Sequence, residues 1–401
     1  MRRILSELFG TRRRQYQVGV EFTDTQVRLV SLSKRGGQHR VEGVCIGEVS
    51  AIGDPHAAAQ CLARLVKRMG VKGQRVSLAI KSSLAFTKSA LLDATLSRRE
   101  IDDRMLAEAE SALPYALDEV YLDYAAVESI PTSVATQLIA RSRVPQELST
   151  HAGAYQKMLL VACKADVLDP IVEIAEQAGL RLDAVDLDSF ALERALMQST
   201  LLPLQEAARQ PLGVVALILL ESGLSCVHLF HNGNHKLHRE WGHEQTNFDP
   251  SLRDQFKDQL RDELRDQFRD EFKDEIRDEF RDEFKDQLRD EMTGASARLD
   301  HYREVASETA NQVRIALSQL PSDEIEGELS LALLGGNGAL ARGVIETDLI
   351  EEMANSLLCE VRSANPFRRM TLGEGVDPIA VDQDAPLLMV ACGLAMREAS
   401  A

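Results

Sequence analysis

Between Leu252 and Glu291 the chain repeats one tetrad ten times without interruption: an apolar residue, a base, Asp, then Glu or Gln. Glycine, proline and serine are absent from this run and most slots hold a good helix former, so the segment is expected to be helical. As one helix its forty residues would span roughly 60 Å. A four-residue period on a 3.6-residue helix carries each apolar residue about 40° further round the axis. The apolar stripe therefore spirals, and a straight partner would meet only about three or four successive tetrads, which disfavours an extended coiled coil. Each Asp supports the helix through the next base at i,i+3, while like charges recurring at i,i+4 oppose it. A solvated single helix, a self-associating one and a partly disordered segment all stay open. The flanking sequence reads as mixed α/β on both sides, so the rod at 250–293 is either the working device or an interruption of one.

At 401 residues the chain is long enough for two lobes, each with its own core. The repeat supplies −6 of the net charge of −17 and leaves −11 for the remainder. So acidic a surface excludes the basic footprint of a nucleic-acid binder. The six cysteines (Cys45, Cys61, Cys163, Cys226, Cys359 and Cys392) are scattered and form no CxxC pair, which favours buried thiols in a reducing compartment. The apolar run Val214–Leu220 is only strand length, far short of the roughly eighteen residues of a spanning helix. Basic Met1–Arg3 is followed by no sustained apolar region, so a cytoplasmic protein is expected. Residues 1–15 form a basic amphipathic tail, with Ile4, Leu5, Leu8 and Phe9 on one helical face among arginines. Such a tail suits either an anionic lipid surface or simple solubilisation.

Alternating apolar residues from Val18, broken at Gly36–Gly37, predict a β-meander, followed by a helix ended by Gly70. Strands are expected at Arg75–Ile80 and Phe86–Leu92. Ser97 with Glu100 three residues on predicts a capping box for a helix through Leu113. Extended sequence after Pro114, a buried strand MLLVACKADVL, a helix Pro170–Gly179, a strand LRLDAVDLD and a helix SFALERALMQ follow. The opening meander then recurs: VGVEFTDTQVRLVSL from Val18 can be laid on ALILLESGLSCVHLF from Ala216, with a hairpin turn at Asn232–Gly233. Two lobes opening with the same unit suggest an internally duplicated fold. A helix Arg298–Leu320, a buried strand LSLALLGGNGAL, a further helix, a short strand CEVRSA and a final helix Ala385–Arg397 complete the pattern.

The strand–GGNG–helix sequence at Leu334–Leu340 places glycines where backbone must come close to something. A nucleoside or phosphate over the helix start is one reading; a tight strand-to-helix turn, where glycine is the default residue, is the other. His228, His231, His235, His238 and His243 crowd one hairpin. Strand alternation about Asn232–Gly233 sets Val227 opposite His238 and Phe230 opposite His235, which spreads the imidazoles over both faces. Surface histidines rather than a metal centre are therefore expected. GxSxG, HExxH and catalytic-cysteine patterns are absent from the sequence.

Taken in order, VGVEFTDTQVRLVSLS (18–33), VSLAIKSSLAFTK (76–88), EAESALPYALDEVYLDYAAVE (108–128), LLVACKADVLDPIVEIAEQAGLRLDAVDLDSFALERAL (159–196), LALLGGNGALARG (331–343), ANPFRRM (364–370) and DAPLLMVACGLAMR (384–397) resemble the PilM family, actin-like proteins of type IV pilus assembly related to the FtsA cell-division ATPases. The resemblance implies a two-lobed actin-like (ribonuclease H-like) α/β fold with an extra small subdomain in the first lobe. It apportions the chain as lobe 1 at 16–205 with that subdomain at about 80–155, lobe 2 at 212–245 and 296–380, and a C-terminal helix at 384–401 returning to lobe 1. The tetrad rod would replace the small subdomain of lobe 2. It further implies a scaffold peripheral to the inner membrane. Such a scaffold holds the cytosolic N-terminal peptide of a PilN-like protein in a groove beside the extra subdomain, and couples the alignment complex to the assembly motor.

ATP and Mg²⁺ are implied as cofactors, with Thr23, Thr25, Arg28, Gly335, Gly336, Asn337 and Gly338 at the binding positions. The sequence departs from the family there. Asp-x-Gly of the first phosphate loop is Glu21 and Thr23, the downstream Lys is Arg28, and Asp-x-Gly of the second loop is Leu219 and Glu221. A side chain where glycine admits phosphate obstructs it, an acidic one repels it, and loss of the second Asp removes an organiser of Mg²⁺. The expectation is a chain that binds ATP weakly or not at all. Its alternatives are an active ATPase of the same machinery and a self-associating, rod-bearing structural protein.

Overall fold

The structure is a computed structural model that describes residues 16–49, 55–130, 154–201, 213–221, 224–242, 302–320, 328–336 and 344–397. The basic tail, the tetrad rod, Asn337 and Gly338 lie outside the described residues. The chain divides into two compact units. Unit 1 comprises 1–33, 43–191 and 394–401, and unit 2 comprises 34–42 and 192–393.

Unit 1 is built on the meander β1 (Gln17–Phe22), β2 (Gln26–Arg35) and β3 (Gln38–Glu48), followed by β4 (Arg75–Ile80) and β8 (Arg181–Leu187) in the order β3-β2-β1-β4-β8. β1 runs antiparallel to β2 and parallel to β4, and β4 runs parallel to β8. Helices α1 (Pro55–Met69) and α3 (Ala165–Gln177) cover one face, where Val18, Val20, Leu29, Leu62, Val66, Leu78 and Ile174 form the core. The helix expected to begin at Pro170 begins at Ala165, so Pro170 lies inside it. The apolar periodicity of Leu168, Ile171 and Ile174 outweighs the backbone bond that Pro170 cannot donate. The carboxyl ends of β4 and β8 meet where α4 (Asp188–Leu196) begins. There the Asp188 carboxylate accepts from the Ser82 backbone N–H at 2.9 Å and from the Ser82 hydroxyl.

Between β4 and α3 a small subdomain is inserted. Its sheet has the order β5-β7-β6, from β5 (Ala85–Asp93), β6 (Val120–Ile130) and β7 (Tyr155–Lys164), with β7 antiparallel to both neighbours. Helix α2 (Arg98–Ala112) seals this sheet, packing Met105 and Ala109 on Leu92, Met158 and Leu160. The capping box forms as expected: the Ser97 N–H donates to Glu100 Oε2 at 2.8 Å and the Glu100 N–H to the Ser97 hydroxyl at 3.4 Å.

Unit 2 repeats the plan of unit 1. The meander β9 (Val214–Leu219), β10 (Leu224–His231) and β11 (Asn234–Gly242) is joined by β12 (Leu329–Gly335) and β13 (Glu360–Ser363) in the order β11-β10-β9-β12-β13. Again the first strand runs antiparallel to the second and parallel to the fourth. The duplication suspected from the two meanders is thus matched strand for strand. Helix α5 (302–318) and α6 (Val344–Leu357) cover one face, on Ala216, Ile218, Val227, Leu229, Ala332 and Leu334. The last long helix expected from Ala385 is instead broken. α7 (Pro378–Asp384), capped by Asp377, leads through a 3₁₀ turn at Ala385–Leu387 into α8 (Met389–Ala395), with a bend of 103°. Pro386 has no N–H to continue a helix from α7. Among the described residues no single helix is long and apolar enough to cross a membrane.

Helix α6 ends on Leu358 at φ 56°, its N–H donating to the Ala354 carbonyl in a left-handed cap usually filled by glycine. The side chain is 88% exposed, so it recovers little by packing. Leu358→Gly is expected to stabilise the chain by about 1 kcal/mol, measured as a higher denaturation midpoint at unchanged slope.

Candidate functional site

The β1–β2 hairpin of unit 1 brings Thr23, Thr25 and Arg28 together. The Thr23 hydroxyl accepts the backbone N–H of Gln26 at 3.0 Å and of Thr25 at 3.4 Å, closing the turn. The Thr25 carbonyl accepts from Val49 N–H at 2.8 Å. The Thr23 hydroxyl thus holds the turn, and the Thr25 backbone ties the hairpin to Val49. Arg28 lies directly across the strand pair from Glu21. Its Nη1 is 3.6 Å from Glu21 Oε1 and its Nε donates to Gln26 Oε1 at 3.1 Å. Gln26, which no sequence motif marks, is therefore part of this cluster.

In unit 2 the end of β12 brings Gly335 and Gly336 against the end of β9. A Cβ on Gly335 would lie 2.8 Å from the Pro386 carbonyl oxygen and 2.9 Å from Leu219 Cδ2. On Gly336, which has φ 85°, it would lie 2.2 Å from the Leu220 carbonyl oxygen. The Leu220 N–H donates to the Gly335 carbonyl at 2.9 Å and the Gly336 N–H to that of Pro386 at 3.0 Å. The close approach that Gly335 and Gly336 permit is to the chain itself; Asn337 and Gly338 lie outside the described residues. Leu219 offers no oxygen donor, and its side chain stands at Gly335.

The histidines differ from expectation. Lys236 is an extra residue on β11, so the register shifts between Leu229 and Phe230. Phe230 still faces His235, but His238 faces His228 instead of Val227. This bulge gathers His228, His235 and His238 on one face, with ring centroids 5.3, 5.7 and 6.3 Å apart. His228 is buried, its Nδ1 3.1 Å from His235 Nε2. Burial, with the His238 charge adding, lowers its pKa to about 3. Burial also raises the nearby Glu193 carboxyl, against the lowering effect of the His235 backbone N–H that it accepts. Among the described residues no group of three or more His, Cys, Asp or Glu could hold a metal ion.

The small subdomain carries exposed apolar and aromatic groups: Leu84 at its entrance, Leu106 on α2, Tyr115, and Tyr121 and Val127 on β6. The Tyr121 hydroxyl donates to Asp169 of α3 at 2.8 Å, which raises the phenol pKa, and the Lys164 ammonium lies 4.4 Å from the Tyr115 ring centre. Sequence reading placed these tyrosines in extended structure without marking them. Tyr115 instead lies in the bend before β6; for Tyr121 the signal available was an aromatic residue on the strand face opposite the one that α2 seals.

The sequence profile of the Type IV pilus assembly protein PilM family matches residues 19–295 and 302–399. This chain belongs to the PilM family. A solved PilM–PilN type IV pilus biogenesis complex matches with a TM-score of 0.60 and 17% identity, over 97% of this chain and 100% of that one. The ethanolamine utilization protein EutJ of Carboxydothermus hydrogenoformans matches at a TM-score of 0.44 and 14% identity, over 95% of this chain and 89% of its own. A Bacteroides thetaiotaomicron protein with an actin-like ATPase fold matches at 0.40 and 10%, over 96% and 97%. The architecture is the mixed α/β, actin-like fold of PilM proteins, with the extra small subdomain in its first half.

Two outcomes follow from this geometry. Gly336→Ala is expected to destabilise the chain by about 3 kcal/mol or more in the absence of any ligand, read by chemical denaturation. The folded-state pKa of His228 lies below its unfolded value, so its contribution is complete above about pH 6.5 and falls away as pH drops toward about 3. Between pH 8 and pH 5 the wild type should lose about 2 kcal/mol more stability than His228→Leu.

Proposed function

We propose that this PilM-family chain is a scaffold of type IV pilus biogenesis. It holds the cytosolic N-terminal peptide of a PilN-like inner-membrane protein, couples it to the assembly motor, and runs no nucleotide cycle. The observation that carries the proposal is the family match along 19–295 and 302–399. The PilM–PilN complex among the similar structures supports the choice of partner. The exposed Tyr115 and Tyr121, each beside a charged side chain of unit 1, offer the aromatic and polar contacts a peptide needs. We place the protein in the cytoplasm at the inner membrane, with the basic tail toward lipid. We take the rod at 250–293 as an insertion between β11 and α5.

ATP with Mg²⁺ does not fit the described residues at the implied positions. Thr23 closes its own turn, Arg28 is engaged by Glu21 and Gln26, the Leu219 side chain cannot ligate Mg²⁺, and Gly335 and Gly336 are packed on the chain's own backbone.

Titration calorimetry with a synthetic N-terminal peptide of the PilN-like protein from the same genome tests the scaffold. Saturable binding is expected, weakened about 5- to 30-fold by Tyr121→Ala. A folded chain that ignores the peptide sinks the scaffold; mutation-sensitive Mg·ATP turnover sinks the nucleotide-free part.

A further inference from the structure

In the small subdomain β6 is an edge strand, and register fixes which of its backbone groups face outward. The Ala94 N–H donates to the Ala154 carbonyl at 2.9 Å, just beyond the β5–β7 ladder. That ladder runs without a shift from Asp93 with Tyr155 to Ala85 with Cys163. Even-numbered residues of β7 therefore turn their N–H and C=O toward β5, and odd-numbered ones toward β6. On β6, Tyr121, Asp123 and Ala125 lie opposite Cys163, Val161 and Leu159 and bond to β7. Leu122, Tyr124 and Ala126 lie opposite Ala162, Leu160 and Met158, so their N–H and C=O groups face the outer side. Among the described residues no strand pairs with that side. The Tyr124 N–H fits this assignment: it donates at 2.8 Å to the carboxylate of its own neighbour, Asp123.

Edge strands are ordinarily guarded by lysine, proline or a bulge. From Val120 to Ala126 β6 has neither residue, and its bulge comes only at Val127, where the register with β7 shifts. Ala125, Ala126 and Val127 are exposed in succession, so neither face is covered there, and Tyr121 is 51% exposed. Charge decides what fits. Residues 117–130 hold four acids, Asp118, Glu119, Asp123 and Glu128, and no base. A second copy of the chain would bring the same acids together, whereas a basic strand is attracted.

We propose that the outer edge of β6 takes the N-terminal peptide of the PilN-like protein as a fourth strand, bonded through Leu122, Tyr124 and Ala126, with bases of the peptide meeting Asp123. The Asp123 carboxylate holds the Tyr124 N–H until a peptide carbonyl replaces it, which frees the carboxylate for a Lys or Arg. The bulge at Val127 ends the added strand. This mode of holding rests on the scaffold reading above and specifies how its peptide is seated.

The test is titration calorimetry on the full-length chain with the synthetic peptide and a set of analogues, each N-methylated at one backbone nitrogen. Successive N–H groups of a strand point to opposite sides, so binding should fall about 5- to 10-fold at every second position and hold between them. On the protein side, Ala126→Pro removes an outward N–H and no bond to β7. It should fold, and bind about 5- to 10-fold more weakly. Asp123→Asn should weaken binding and flatten its salt dependence. If Ala126→Pro does not fold, the N-methyl series on the wild type still decides. Binding that ignores N-methylation, or weakens without a period of two, overturns strand addition and leaves the scaffold reading in place. Equal binding by folded Ala126→Pro also overturns it. So does a wild-type chain that light scattering shows as a dimer and Ala126→Pro as a monomer, since a second copy then fills the edge. A folded chain that ignores the unmodified peptide defeats the scaffold reading itself, and strand addition with it.

Discussion

At the end of β12 the backbone of Gly335 and Gly336 touches both the end of β9 and the Pro386 carbonyl, and the register of unit 2 depends on that approach. β9 and β12 run parallel, so their side-by-side alignment owes nothing to a tight turn between them. What fixes it at this end is the Leu220 N–H on the Gly335 carbonyl and the Gly336 N–H on that of Pro386. A single methyl at Gly336 would enter the Leu220 carbonyl. The broken α7–α8 segment is tied into the same place, because Pro386 both ends one helix and supplies the acceptor.

Much of this was legible in the sequence, where the signal is local. Ser97 and Glu100 named a helix start, Asn232–Gly233 a hairpin, and two similar meanders a duplicated plan, because caps, turns and alternation are set within a few residues. The missed features are those where distant or competing terms decide. Lys236 is an ordinary strand residue, and nothing in its neighbourhood announces that it is the bulge that brings His238 opposite His228. Pro170 looked like a helix start because proline favours first turns, yet the apolar face running back to Leu168 carried the helix through it. The hydrogen bond from Arg28 to Gln26 and the covering of Gly335 by Leu219 depend on side-chain placement in three dimensions, which the order of residues alone does not display.

The described positions that the resemblance assigns to a nucleotide take part in the chain's own contacts in both units, in different ways. In unit 1, side chains that could meet a ligand close a turn and neutralise one another. In unit 2, glycine backbone that could meet a ligand is occupied by neighbouring backbone. Both sets of contacts are made by the chain itself, in keeping with the scaffold proposed above.

The small subdomain leaves the main sheet after Ser82 and returns at Lys164, and Ala85 pairs with Cys163 where the two paths meet. Departure and return are thus adjacent strands of one ladder, pinned at the base by Asp188. Everything beyond that base, including its tyrosines and the α2 seal, can be lengthened, shortened or resurfaced without a change of register in β4 or β8. Geometrically the subdomain is a cassette, carried on the duplicated frame by one base.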